Sequence, residues 1–220
     1  MKNPAAAIWH ELRYAIDRAL KTGERKHEFE AKYRKHGDYF GYRSNPYELE
    51  KYKRTLALMR LWRPDTAHNP AGMGALEIGC SVGVFTKMIA PEFARVTAVD
   101  IAKEALAIAA TEVGSTGQVS YVQSDLLSLK LEQTFDVIFC AEVLMYVREL
   151  DAPAACKVLD DHLAPDGIII EVSQQDREAG RPKFFHGWAT VLGEYFEMAH
   201  REKFDDPQRP YEIVAYQRRR

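Results

Sequence analysis

Long apolar runs are missing from this 220-residue sequence, and nothing in it approaches the roughly 18 consecutive apolar residues that a membrane-spanning helix needs. The N-terminal stretch Ala5–Trp9 is broken by His10, Glu11 and Arg13, which is too short for a secretory signal. A cytoplasmic protein with no membrane partner is therefore expected. Cysteine is scarce. Cys80, Cys140 and Cys156 lie far apart in apolar stretches and form no C-x-x-C pair. That argues against a disulfide framework or a zinc site and predicts buried free thiols. The histidines show no metal-ligand spacing, so no metal is expected. Repeats and low-complexity tracts are absent. With 46% hydrophobic and 28% charged residues, the chain is neither fibrous nor disordered.

Charge is nearly balanced overall, at −2, but it is split along the chain. Residues 1–63 hold 15 Lys and Arg against 8 Asp and Glu, and residues 64–220 hold 15 against 24. A basic front segment suits a nucleic acid or anionic substrate, or a helical surface docked on an acidic body. The interleaved Glu residues favour docking, so nucleic acid is not expected as a partner. Residues 5–21 read as an amphipathic helix, with Ile8, Leu12, Ile16 and Leu20 every four residues and Gly23 as its stop. Residues 24–35 form a weaker helix around Phe29 and Tyr33. An aromatic stretch follows, with Tyr39, Phe40, Tyr42 and Tyr47 as a possible lid. Pro46, capped by Asn45 or Ser44, opens a helix to about Leu61, with Leu49, Tyr52, Leu56 and Met59 inward. Residues 63–73 read as a linker.

From Gly74 strands and helices alternate. Strands are expected at 75–79, 95–100, 118–123, 135–141 and 167–173, and helices at 84–90, 102–112 and 151–163. Runs such as Phe135–Cys140 are continuously apolar, as in strands covered on both faces. A helix over 185–196 and strands at 201–204 and 211–217 follow. The pattern predicts an α/β fold: a doubly wound, mostly parallel seven-stranded sheet with an antiparallel edge pair. Two regions result, an N-terminal helical extension over 1–63 and a ligand-binding domain over 74–220.

The most informative segment is Ala75-Leu76-Glu77-Ile78-Gly79-Cys80-Ser81-Val82-Gly83-Val84-Phe85. An apolar strand runs through glycines into a helix, which brings backbone N–H groups close to a ligand. G-x-G-x-x-G fails at Ser81 and Val84, and no G-K-[ST] is present. What remains is E-x-G-x-x-x-G. Asp100 ends the second strand, where it can accept bonds from ribose hydroxyls. Asp125 ends the third, where it can accept one from an adenine amino group. Alternatively, both acids merely cap the structure that follows.

This ordered set resembles the class I S-adenosylmethionine-dependent methyltransferases, whose sheet is Rossmann-like. Further matches are Phe135 to Leu144 and Leu163-Ala164-Pro165-Asp166-Gly167, the latter resembling the family's turn into strand five. Within that superfamily the chain is similar to the nodulation protein S (NodS) family, which N-methylates the amino sugar of a deacetylated chitin oligosaccharide. The pieces that carry this likeness are Asn45 to Lys51, Ala75 to Pro91 and Phe135 to Tyr146. The resemblance implies S-adenosyl-L-methionine as cofactor, with S-adenosyl-L-homocysteine as product. It places Glu77, Gly79, Ser81, Gly83, Phe85, Asp100, Ile101, Asp125, Leu126 and Ala141 at the cofactor.

Methyl transfer from a sulfonium needs alignment and a free lone pair on the acceptor. An amine must first lose a proton to a nearby group. Glu142, His186 and Glu48 are the candidates for that work, each with a structural alternative: a backbone-bonding residue, a helix cap and a first-turn acid. The expected acceptor is a small molecule, most readily an amine, and the protein a monomer or homodimer. Alternatives are an O-methyltransferase of a natural-product intermediate, an RNA or protein methyltransferase, a nucleotide-dependent oxidoreductase and a non-catalytic cofactor-binding protein. The tetrapeptide [N/D]-P-P-[Y/F] of nucleobase amino methylation is absent.

Overall fold

The computed structural model describes residues 23–63, 72–175, 187–207 and 209–219. The helix expected over 5–21, most of the linker and His186 lie outside the described residues. Residues 23–36 are helical (α1), with Gly23 the first described residue of that helix. Helix α2, Pro46–Trp62, starts as expected: Asn45 stays extended and its side chain accepts from the Tyr47 N–H. Its inward face differs from the expectation. Leu56 and Met59 are buried, but so are Glu48, Lys51 and Thr55, while Leu49 and Tyr52 are half-buried. An apolar-periodicity count misses a helix that buries charge.

Seven strands follow: β1 Gly74–Ile78, β2 Arg95–Asp100, β3 Val119–Gln123, β4 Phe135–Ala141, β5 Leu163–Gln174, β6 Glu197–Phe204 and β7 Tyr211–Gln217. They form one sheet in the order β3-β2-β1-β4-β5-β7-β6. The first five are parallel, and β7 runs antiparallel to both β5 and β6. Between them lie α3 (Val84–Ile89), α4 (Lys103–Val113), α5 (Ala152–His162) and α6 (Trp188–Tyr195). Helices cover both faces. Leu76, Ile138 and Leu159 pack on one side, and Ala75, Phe85 and Phe139 on the other.

Two strands are longer than the pattern suggests. β5 begins at Leu163, where a turn was expected; its register with β4 slips between Phe135 and Val137, so the five residues form a bulged strand start. β6 begins at Glu197 because an exposed edge strand carries charged residues that mask its period. The three cysteines are buried and free. The basic front segment is docked on an acidic body, with Arg34 on Glu104, Arg43 on Glu112 and Arg60 on Glu92. No helix among the described residues is long and apolar enough to cross a membrane.

Strand order reverses between β1 and β4, and such a switch point opens a crevice at the carboxyl ends of the strands. The turn there depends on Gly83, at φ +80°, because a Cβ would come within 2.8 Å of the Ala109 Cα and Cβ on α4. Gly83→Ala combines the left-handed penalty with overpacking, so it is expected to lower the unfolding free energy by about 2–5 kcal/mol. Urea denaturation checks this, and an unchanged midpoint would refute the close α3–α4 contact.

Candidate functional site

The crevice is a cleft of about 1050 Å³, measured out to its open mouth. Its floor is the turn after β1. Gly79 takes φ +78° and its N–H reaches the Val99 carbonyl at 2.8 Å. A Cβ at this position would lie 2.7 Å from Val143 Cγ2. Ser81 is left-handed at φ +51°, which is costly for a residue with a side chain. Asp100 holds it there. One carboxyl oxygen accepts from the Ser81 N–H at 2.9 Å and the other from the Ala102 N–H at 2.9 Å. Burial raises the Asp100 carboxyl to about 6, against the pull of those backbone bonds. Asp125 caps a short turn, with Oδ1 accepting from Leu127 and Ser128. Both acids thus cap local structure and also line the cleft. The two readings are not exclusive, because each carboxylate oxygen has more than one lone pair.

Eight sequence candidates meet on the cleft wall: Gly79, Ser81, Asp100, Ile101, Asp125, Leu126, Ala141 and Glu142. Glu77, Gly83, Phe85 and Glu48 are not among its lining residues. Glu77 is buried behind the turn, accepting from Thr86 Oγ1 at 2.6 Å, and burial raises its carboxyl to about 7. Gly83 serves helix packing. Phe85 stacks on Tyr52 at 4.9 Å and meets Phe139 edge-on. Three of the ten cofactor candidates therefore support the wall rather than form it.

Glu48 and Glu142 are joined by a residue that sequence reasoning did not single out. Lys51 Nζ lies 2.8 Å from Glu48 and 2.9 Å from Glu142, and its side chain is 2% exposed. Desolvation works against the Lys51 charge, but the two carboxylates outweigh it and raise its pKa. Glu142 is left-handed at φ +55°, with its N–H on the Val172 carbonyl at 2.9 Å. So the Lys51 ion pairs tie α2 to the end of β4 and aim Glu142 along the cleft.

The rest of the wall comes from the N-terminal segment. Arg25, Phe29 and Tyr33 lie four residues apart on α1 and face the cleft, followed by Phe40 and Tyr42. Of the aromatic residues expected to form a lid, Phe40 and Tyr42 line the cleft, Tyr39 is exposed, and Tyr47 packs edge-on against Tyr211. Tyr33 OH meets Ser81 Oγ at 2.8 Å, Phe29 meets Tyr146 edge-on at 5.4 Å, and Arg25 donates to the Tyr146 carbonyl. Glu30 accepts from the Lys103 N–H at 3.0 Å, so α1 is pinned to the start of α4. The four-residue spacing of Phe29 and Tyr33 was the available signal, and Arg25 continues it backwards.

Removing Lys51 leaves two acids without their cation in a buried setting. Lys51→Met is expected to cost about 3–5 kcal/mol of stability. Adding Glu48→Gln and Glu142→Gln should recover most of it, since no unpaired charge then remains. Chemical denaturation of the single and triple variants checks this, and additive losses would refute the coupling.

A model of the nodulation protein S (NodS) family matches residues 26–201. Nodulation protein S of Bradyrhizobium diazoefficiens is 31% identical over 155 residues, covering 70% of this chain and 71% of that protein. That of Rhizobium tropici is 32% identical over 155 residues, covering 70% and 62%. Among solved structures, the N-methyltransferase NodS from Bradyrhizobium japonicum WM9 in complex with S-adenosyl-L-homocysteine superposes with a TM-score of 0.74. It is 24% identical and the match covers 89% of this chain and 98% of that one. Magnesium protoporphyrin IX methyltransferase from Synechocystis with bound S-adenosyl-L-homocysteine gives 0.62 at 18% identity, covering 77% and 84%. The fold is that of the class I methyltransferases, and the chain belongs to the nodulation protein S family.

Proposed function

We propose that this protein transfers a methyl group from S-adenosyl-L-methionine to an amine of a small acceptor, an amino sugar or similar metabolite. One observation carries the reading: in a chain of this family, two acids and a glycine turn meet on one cleft at the switch point of the sheet. When bound, the cofactor supplies an electrophilic methyl on a sulfonium. Asp100 accepts from the ribose hydroxyls with the lone pairs its backbone bonds leave over. Asp125 receives the adenine amino group, and Ile101 and Leu126 flank the ring. Gly79, Ser81 and Ala141 shape the floor, while Glu77, Gly83 and Phe85 hold that floor from behind. Phe29, Tyr33, Phe40 and Tyr42 offer aromatic faces, which suit a sulfonium and exclude water.

Residues 1–63 act as a helical extension and lid, and residues 74–220 as the cofactor-binding domain. Glu142, aimed by Lys51, attracts a cationic acceptor to the cleft. Glu48 acts through Lys51 as a positioning residue, because it is buried and off the wall. His186, which lies outside the described residues, is a candidate for the acceptor's proton on sequence grounds alone. A nucleic-acid partner is disfavoured, since Arg34, Arg43 and Arg60 are engaged by carboxylates of the body.

Calorimetric titration with S-adenosyl-L-methionine, S-adenosyl-L-homocysteine and NAD tests the reading. Binding of the first two and not of NAD is expected, and binding of NAD alone would overturn it. The affinity for S-adenosyl-L-homocysteine also reports on Asp100. Its carboxyl is raised to about 6, and the charged form is the better acceptor for two hydroxyls. Affinity should thus be full above that pH and weaken by up to about tenfold per unit below it. Asp100→Asn should weaken binding by about 10–100-fold at pH 7.5 and flatten this dependence. Asp100→Ala is a poorer probe, because it also strands the buried Ser81 and Ala102 N–H groups.

A further inference from the structure

Beyond Glu142 lies a second, smaller pocket of about 270 Å³, measured out to its open mouth and with room inside for a group about the size of one water, bounded also by Leu144, Glu171, Ser173, Gln174 and Trp188. Glu142 lines both spaces, so this pocket borders the cleft at that residue. Glu171 is out of place for its position. It sits in the middle of β5, paired with Cys140 of β4 and Val214 of β7, and is 1% exposed. Its neighbours Ile169, Ile170 and Val172 are the residues such a strand demands. A carboxyl buried there is costly unless it is bonded. Yet Glu171 Oε2 makes no hydrogen bond of good geometry among the described residues; the hydroxyl of Ser173, two residues on, is near enough to favour the Glu171 charge but is not aligned for such a bond either.

Among the described residues, the groups around Glu171 supply no unpaired counter-ion. Glu142 faces it from the cleft side, Glu212 and Tyr216 from β7, and Cys140 from β4. Arg201 on β6 is the nearby cation, and its guanidinium is bonded to Glu212 at 2.6 and 2.9 Å. Glu142 is itself bonded to Lys51 at 2.9 Å. Burial is the main reason the Glu171 carboxyl is pushed up to about 8; Glu212 and Glu142 add to it, and Ser173 and Arg201 pull the other way.

We propose that this cavity receives the amine group of the methyl acceptor and that Glu171 takes that amine's proton. The proposal rests on the methyltransferase reading and names where the acceptor nitrogen binds. The cavity suits an amine head group: one carboxyl without a counter-ion among the described residues, a second at its boundary, a hydroxyl, and the Trp188 ring beside them. In the step, an N–H bond of the ammonium breaks and its proton passes to the Glu171 carboxylate. The freed lone pair forms the N–C bond as the S–C bond breaks. The positive charge moves from sulfur to nitrogen, and the proton stays on Glu171 until product leaves.

The test uses the full chain and thermal unfolding in methylammonium chloride, against equal tetramethylammonium chloride, which cannot donate a hydrogen bond. Methylammonium should raise the wild-type Tm further than tetramethylammonium does. Glu171→Gln should abolish that difference, while S-adenosyl-L-homocysteine still raises both Tm values alike. Glu171→Asp, which keeps the charge but withdraws it by one methylene, should weaken the response without abolishing it. Because an ammonium binds the ionised carboxyl, the apparent affinity should strengthen about tenfold per pH unit up to about 8 and then level off. No methylammonium response in the wild type, or an equal response in Glu171→Gln, overturns the proposal. Loss of the S-adenosyl-L-homocysteine response in the wild type overturns the methyltransferase reading instead, so the two failures are told apart.

Discussion

The Asp100 carboxylate binds two strand ends into one site. One oxygen holds the Ser81 amide in the turn after β1, and the other holds the Ala102 amide at the start of α4. Ser81 could not keep its left-handed backbone without such a partner, because that conformation costs an ordinary residue of order 1–3 kcal/mol. Ser81 in turn meets the hydroxyl of Tyr33 on α1. A single buried acid therefore fixes the floor of the cleft and, one contact further out, the helix that covers it. It also explains why so buried a carboxyl stays accessible to a ligand: its backbone bonds use only part of its acceptor capacity.

A second charged device works on the opposite wall. Lys51 is buried between Glu48 and Glu142 and joins α2 to the end of β4. Glu142, like Ser81, is left-handed without being glycine. Both strained residues face the same cleft, one on each side of the switch point between β1 and β4. That coincidence is what a site built for a ligand looks like, since neither conformation is the cheapest way to end a strand. The front segment completes the enclosure by docking basic residues on the acidic body, so the charge split along the chain is largely spent within the molecule.

Much of this was legible in the residue pattern. The alternation of strands and helices from Gly74, the E-x-G-x-x-x-G turn, and acids at two strand ends led to the fold and to Gly79, Asp100 and Asp125 on the wall; Ser81, Ile101, Leu126 and Ala141 came from the family resemblance, and Glu142 from its place after β4. Where the reading went astray, the reasons are physical. Glu77 and Gly83 belong to the turn's motif, but a motif does not say which of its side chains face outward. Phe85 was placed at the cofactor and instead stacks in the core. Helix α2 was read by its apolar positions, and its buried face also carries charge. β6 was undercounted because an edge strand need not alternate.

By itself, the sequence determined the element order, the parallel sheet and the acids that close β2 and β3, because period, apolar runs and turn residues are local properties of the chain. Only the tertiary structure decided that Arg25, Phe29 and Tyr33 form a wall, that Lys51 joins its neighbour Glu48 to the distant Glu142, and that Glu171 has no unpaired cation beside it among the described residues. Those facts depend on residues far apart in the chain, 121 positions for Arg25 and Tyr146 and 91 for Lys51 and Glu142, coming within a few ångströms. A lysine's partner or a carboxyl's desolvation is a property of that packing, and nothing in the neighbouring sequence encodes it.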